Sequence, residues 1–438
     1  MIRNPEIQFE SPEKIKQFQQ ERLKEELEYL NGCSPFYKKM FAERNIDVSK
    51  VKYIEDLREL PVTTRQDLQV HNKDFICVPR NEVADYITTT GMLGDPVMLA
   101  LTVGDIDRLG YNESLSFSTA GITRNDVLQL MTTLDRRSMT GLACFMGARE
   151  LGCGIVRVGN GLPELQWDTI HRVNPSGCVV IPSFLIRMMD YAEANSMDYN
   201  DSSLRKAICV GESLRLPDFS FNAFGHHIHE RWRELSLHSA YASPEMQTSF
   251  TECDRFEGVH LPPDLIIVEL LDSDNNPVGE GEPGEVTITT IGVRGMPLLR
   301  FKTGDTCFHY GQPCSCGRNT SRLSPVVSCK GQVVKLKGTA VYPAVLYDIL
   351  DNIAGIRNYI VEVYTGKLGL DRILIKIGCD IHSEEFAKQI KDTFRARIGV
   401  APGIVFEPAE YIARLQMPPM NRKPVKFVDL RETKYDFF

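Results

Sequence analysis

Met296-Pro-Leu-Leu-Arg-Phe-Lys-Thr-Gly-Asp305 is the stretch on which the fold of this chain turns. Leu298–Lys302 reads as a strand, and Thr-Gly-Asp closes it with a glycine turn. An ionised aspartate accepts hydrogen bonds and donates none, so Asp305 can take both hydroxyls of a ribose diol. An ordinary Gly-Asp β-turn is the plain alternative.

Three other groups of residues invite the same treatment. In Tyr241-Ala-Ser-Pro-Glu245 a ring precedes a carboxylate by four residues. The ring can stack on a flat ligand and Glu245 can hold a hard divalent cation; alternatively Glu245 is a helix-start glutamate favoured by the dipole. Thr88-Thr-Thr-Gly-Met-Leu-Gly-Asp-Pro96 is rich in hydroxyls and glycine. Gly91 and Gly94 let the backbone approach phosphate oxygens while the Thr90 hydroxyl and N–H groups donate to them, or the stretch makes a turn and nothing more. Cys253, His260, Cys314 and Cys316 offer three thiolates and an imidazole, a set that completes a tetrahedral zinc site. Cys307 and His309 compete for that role, and cytosolic cysteines are often plain buried hydrophobes.

Composition narrows the field. At 438 residues the chain calls for two or three packed units. A hydrophobic share of 42% and a charged share of 25% are those of a globular protein. A net charge of −8 argues against nucleic acid or an anionic membrane as partner. No signal peptide or spanning segment is expected, and twelve cysteines without a leader imply reduced thiols in the cytoplasm.

The first 85 residues read as helical. Ser11 and Pro12 open a helix, and Leu60-Pro-Val-Thr-Thr-Arg-Gln-Asp-Leu68 places an extended segment before a capped helical turn. From Tyr86 onward the chain alternates short apolar runs with helical stretches. Val127–Thr132, Gly154–Val158, Gly177–Pro182 and Ala207–Gly211 are the buried strands of an α/β sheet. Leu265–Leu271, Glu285–Thr290 and Leu298–Lys302 form an antiparallel or barrel-like β subdomain. A smaller α+β unit follows: a helix after Pro343, strands over Ile360–Ile377, a helix over Ser383–Ile398 and a strand near Ile404.

Together these pieces resemble the phenylacetate–CoA ligase family of adenylate-forming enzymes, which includes coenzyme F390 synthetase-like proteins. The resemblance runs from about residue 20 to residue 431. It is carried by Ser34-Pro-Phe-Tyr37, Leu60–Arg65, Phe145–Gly152, Gly211-Glu-Ser-Leu214, Tyr241 with Glu245, Cys253–His260, Gly281–Glu285, Pro297–Asp305, Cys314-Ser-Cys-Gly-Arg318 and Lys423 with Val428-Asp429 and Arg431. It implies a large N-terminal domain over 1–328 and a small mobile C-terminal domain over 329–438. It also implies ATP and coenzyme A as co-substrates, Mg2+, a structural Zn2+, a small carboxylic acid as substrate, and leaves a homodimer open.

By the same resemblance Asp305 binds ribose, Gly211 and Glu212 cover adenine, and Ala240 and Tyr241 line the nucleotide. Glu245 is the magnesium position, Lys330 stands near the hinge residues, and Lys423 is the adenylation lysine. The implied activity is ATP-dependent acid–CoA ligation, on a phenylacetate-like or small acid. Two rivals are an adenylyltransferase that makes no thioester and a weakened nucleotide- or CoA-binding protein. The second is suggested by Met92 and Leu93, which stand where the family places Ser or Thr. Two lost hydrogen bonds to a charged group correspond to about 10²- to 10⁴-fold weaker phosphate binding.

Overall fold

Ser11 and Pro12 start the first long helix, α1 (Pro12–Cys33): the Ser11 hydroxyl accepts from the Lys14 N–H, and Pro12 sits at the first position. Leu23, Glu26, Leu27 and Leu30 recur at three- and four-residue spacing and are its buried stripe. Ser34 and Pro35 repeat the device at α2 (Pro35–Glu43). The structure, a computed structural model, describes residues 3–89, 97–329, 334–336, 339–341, 343–365, 371–418 and 424–431. The chain folds into two compact units, one made of Met1–Ser220 with Gly225–Pro325, the other of Phe221–Phe224 with Val326–Phe438.

In the first unit the helical start is stitched to the decisive stretch. The Leu299 N–H donates to the Tyr37 hydroxyl at 2.9 Å, and the Thr63 hydroxyl donates to the Leu299 carbonyl at 2.8 Å. The Lys302 N–H donates to the Thr63 carbonyl at 2.8 Å. Thr64 and Asp67 then cap α3 (Arg65–Val70) reciprocally, which puts Arg65 at its first position.

Strands β1 (Val83–Thr88) and β2 (Met98–Thr102) pair antiparallel. Helices α4 (Val103–Thr119) and α5 (Met139–Leu151) cross closely: a Cβ on Gly147 would lie 2.3 Å from the Glu113 Cβ, so only glycine permits the approach. Strands β3 (Val127–Leu130), β4 (Gly154–Arg157), β5 (Gly177–Val180), β6 (Lys206–Val210) and β7 (Ser236–Ser243) are parallel in spatial order 4-3-5-6-7. Helices α5, α6 (Pro163–Val173) and α7 (Pro182–Ala194) lie in the crossovers. Strands β8 (Thr248–Glu252) and β9 (Val259–His260) continue the sheet antiparallel. Buried Phe117, Leu128, Leu130, Ala148, Val179 and Ile208 pack on this sheet.

Strands β10 (Ile266–Leu271), β11 (Gly284–Thr290) and β12 (Phe301–Cys307) pair antiparallel. The chain then rejoins the larger sheet through β13 (His309–Tyr310) and β14 (Arg322–Leu323), beside β9. Two expectations need correcting here. Leu298–Arg300 lies outside the strand, because its N–H groups are taken by Thr290, Tyr37 and Thr289 hydroxyls. Asp305 lies inside β12, not in a turn beyond it. Glu285 faces Thr306 while Thr287 faces Lys302, so β12 carries a bulge, with Gly304 at φ +85° within it.

In the second unit Asn358–Thr365 pairs antiparallel with Asp371–Gly378 and parallel with Phe427–Asp429, while Gly403–Glu407 flanks Asp371–Gly378. Helices Pro343–Asp351 and Glu384–Ile398 contribute Leu346, Ile349, Leu350, Phe386, Ile390 and Phe394 to its core. Helix Ala409–Gln416 and strand Phe427–Asp429 were not expected from the sequence.

Candidate active site and metal cluster

Tyr241 ends on β7 and Asp305 on the bulged β12, and the two meet: the Tyr241 hydroxyl donates to Asp305 Oδ2 at 2.8 Å. Burial, with the Asp305 carboxylate beside it, holds the phenol well above its usual pKa, so the hydroxyl stays a donor. Phe250 packs edge-on against the ring at 5.8 Å. The register Val210↔Ala240 sets the end of β6 beside Ala240, so Gly211, at φ +85°, leaves β6 alongside the Tyr241 backbone. The Glu212 carboxylate is engaged already, accepting from the Ser183 N–H at 2.7 Å in the first turn of α7.

Glu245 sits in the tight turn between β7 and β8, not at a helix start. It is buried, and burial raises its pKa against the opposing pull of a backbone N–H and Arg65. Arg65 Nη1 lies 3.3 Å from Glu245 Oε1, while Nη2 donates to the Thr89 hydroxyl at 3.2 Å. Thr89 in turn accepts from Val97 N–H through its hydroxyl at 3.0 Å and donates its own N–H to the Val97 carbonyl at 2.9 Å. Arg65 therefore ties the buried carboxylate to the loop end of the β1–β2 pair. In the sequence Arg65 belongs to the helical start, and its position after a capping threonine gives no hint of Glu245, 180 residues away.

Thr90, Gly91 and Gly94, with Met92 and Leu93, lie outside the described residues, as do Lys330 and Lys423.

Cys253, His260, Cys314 and Cys316 converge, their ligand atoms all within 4.8 Å of one another. Cys253 follows β8 and His260 is on β9. The loop bearing the other two is closed by Cys314 N–H to the Arg318 carbonyl and Gly317 N–H to the Cys314 carbonyl, both 3.0 Å. Cys253 and Cys314 sulfurs stand 3.7 Å apart, and Cys316 Sγ is 3.6 Å from His260 Nε2. The Thr320 hydroxyl, 3.0 Å from His260 Nδ1, orients the ring. Burial and the neighbouring sulfurs push the Cys253 thiol up; at Cys316 burial is outweighed by His260 and Arg318, and that thiol is held well below its usual range. Three sulfurs and one imidazole at this separation suit a soft, tetrahedral dication. Cys307, buried in β12, and His309 stand outside this cluster.

No protein-family model matches the chain. It is 27% identical over 357 residues to the phenylacetate–coenzyme A ligase of Thermus thermophilus, covering 80% of this chain and 78% of that protein. The phenylacetate–coenzyme A ligase of Aromatoleum evansii is 24% identical over 420 residues, 92% of each chain. Among solved structures, 2-hydroxyisobutyryl-CoA ligase in its postadenylation state superposes with a TM-score of 0.83 at 19% identity, covering 97% of this chain and 91% of that one. O-succinylbenzoate coenzyme A synthetase from Bacillus subtilis gives 0.56 at 15% identity, over 74% and 66%. The fold is that of the adenylate-forming CoA ligases, and the chain is a homologue of the phenylacetate–coenzyme A ligases.

Proposed function

We propose that the protein is an AMP-forming acid–coenzyme A ligase acting on an aromatic, phenylacetate-like acid. The observation that carries this is the Tyr241–Asp305 pair beside the end of β6, with buried Glu245 in the following turn, in a homologue of acid–CoA ligases. A free carboxylate is a poor electrophile because its leaving group would be oxide. Attack of a carboxylate oxygen on the α-phosphorus of ATP releases pyrophosphate and leaves an acyl-adenylate. The coenzyme A thiolate then attacks the carbonyl carbon, and AMP departs with the C–O bond electrons.

In this scheme Asp305 accepts the ribose hydroxyls and Tyr241 holds Asp305 in place while flanking the nucleotide. Gly211 leaves room beside the ring for adenine, and Ala240 adds a small wall. Glu212 acts through backbone atoms, since its carboxylate is committed to α7. Thr90, Gly91 and Gly94 would cradle phosphate, Lys330 would bind the nucleotide, and Lys423 would neutralise charge on the α-phosphate and attacking carboxylate. Glu245 would hold Mg2+, which supplies charge neutralisation at the phosphates. Arg65 keeps the buried Glu245 carboxylate aimed until then. Cys253, His260, Cys314 and Cys316 would hold a structural zinc that fastens the 314–318 loop to β8 and β9.

AMP release measured over a panel of aromatic and aliphatic acids, with and without coenzyme A, tests this reading. The ligase requires both acid and coenzyme A and favours aromatic acids. Acid-dependent nucleotide transfer without a coenzyme A requirement would indicate an adenylyltransferase. No acid-dependent turnover would indicate a nucleotide or coenzyme A binder.

A further inference from the structure

The chain just after Lys423 is fastened on every side. The Val425 N–H donates to the Gln416 carbonyl at 2.8 Å, and the Gln416 side-chain amide donates to the Tyr359 carbonyl at 2.7 Å. The Val361 N–H donates to the Lys426 carbonyl at 2.9 Å, immediately before Phe427 enters the sheet opposite Val361. Arg431 closes the far end, 3.0 Å from Asp371 Oδ2 and paired with Asp429.

Within this frame Lys426 is the unusual side chain. A lysine on a strand near the surface ordinarily extends its ammonium into water. Here the ammonium lies 5.4 Å from the centre of the Tyr359 ring, 5.8 Å from that of Tyr347 and 5.0 Å from that of Phe224, all in the same compact unit. Three ring faces around one cation form a cage in which the negative quadrupoles replace part of the hydration shell. The cage is itself anchored, because the Tyr359 hydroxyl donates to Asp351 Oδ1 at 2.8 Å.

We propose that Lys426 is a positioning residue for acyl-adenylate formation, its caged ammonium fixing the chain that follows Lys423 in the sequence. The proposal rests on the adenylation role given to Lys423. A flexible four-carbon side chain delivers its charge accurately only if its Cα is held, and Lys426 follows Lys423 by three residues in the sequence. The effect belongs to the first half-reaction alone, since the thiol attack is not assigned to Lys423.

The test compares Lys426→Met and Lys426→Arg with Lys423→Ala in the full-length protein. Two rates are read: acid-dependent exchange of labelled pyrophosphate into ATP, and thioester formation from a supplied acyl-adenylate and coenzyme A. Lys426→Met should lower the exchange rate by about 10- to 10²-fold, the scale on which small misplacement of a preorganised group acts. Its KM for ATP and its thioester rate should stay within about 2-fold, because neither reports the misplaced charge. Lys426→Arg should recover most of the exchange, since guanidinium also sits on aromatic faces. If Lys426→Met does not fold, Tyr347→Leu opens the cage from its other side and should give the same split. Exchange within about 2-fold of the unsubstituted protein, or equal loss in both half-reactions without recovery by arginine, overturns the proposal. If Lys423→Ala itself leaves exchange intact, the adenylation role of Lys423 fails and this proposal falls with it. Loss of exchange in Lys423→Ala with none in Lys426→Met removes the positioning role only.

Discussion

Asp305 owes its position to a backbone irregularity: the bulge at Gly304 turns the carboxylate toward Tyr241 instead of leaving it in the ladder. Asp305→Ala should weaken ATP binding by about 2–4 kcal/mol, the loss of charge-assisted bonds to ribose. Calorimetric affinity unchanged in this variant would remove the ribose assignment. Glu26 on α1 is a residue of another kind. Its carboxylate is buried and accepts from the Gly292 N–H at 3.2 Å. Burial raises its pKa from 4.5 to about 7, against the opposing effect of Arg294. A carboxyl with a raised folded pKa holds its proton in the native state while the unfolded chain has lost it. Its ionisation therefore costs nothing below about pH 4.5, and the cost grows to about 3 kcal/mol as pH rises past 7. Glu26→Gln should match the unsubstituted protein in unfolding free energy near pH 4.5 and exceed it at about pH 8. A difference that does not change with pH would show that the Glu26 pKa is not raised in the native state.

At the scale of elements, the 314–318 loop should depend on its metal. Protein purified without chelator should contain about one zinc per chain, and stripping the metal should lower thermal stability more than it changes the rate of acid activation. Cys314→Ser should do the same, and metal analysis finding no zinc would end that account. The convergence of Cys253, His260, Cys314 and Cys316 was legible in sequence because soft donors are few and distinctive, although the one-residue Cys-x-Cys spacing alone left Cys307 and His309 as rivals. The parallel strands were legible too, since Gly177–Val180 is a continuous buried apolar run and Val127–Leu130 is interrupted only by Gln129. The bulge in β12 was not: Thr-Gly-Asp is equally a turn sequence, and only pairing with β11 decides between them. Helix Ala409–Gln416 escaped notice because eight residues give barely two turns of periodicity. Arg65 was missed for a different reason, since its partner Glu245 is brought near only by the tertiary fold.

On the scale of the whole molecule, the chain divides so that Tyr241, Glu245 and Asp305 belong to one compact unit while Lys423 falls in the sequence of the other. That division matches a two-step chemistry in which one step needs the lysine and the other does not. Lys423→Ala should depress adenylate formation by about 10²-fold or more, the cost of one preorganised electrostatic group. Thioester formation from a supplied acyl-adenylate should survive in the same variant; equal loss of both would assign the lysine a shared or structural role. The central claim, that this site activates a carboxylic acid with ATP, is tested most directly by isotope exchange between pyrophosphate and ATP in the absence of coenzyme A. The account predicts exchange that requires Mg2+ and a carboxylic acid, is strongest with an aromatic acid, and is lost in Asp305→Ala. Exchange that ignores the acid, or its absence across a broad panel of acids while ATP still binds, would contradict it.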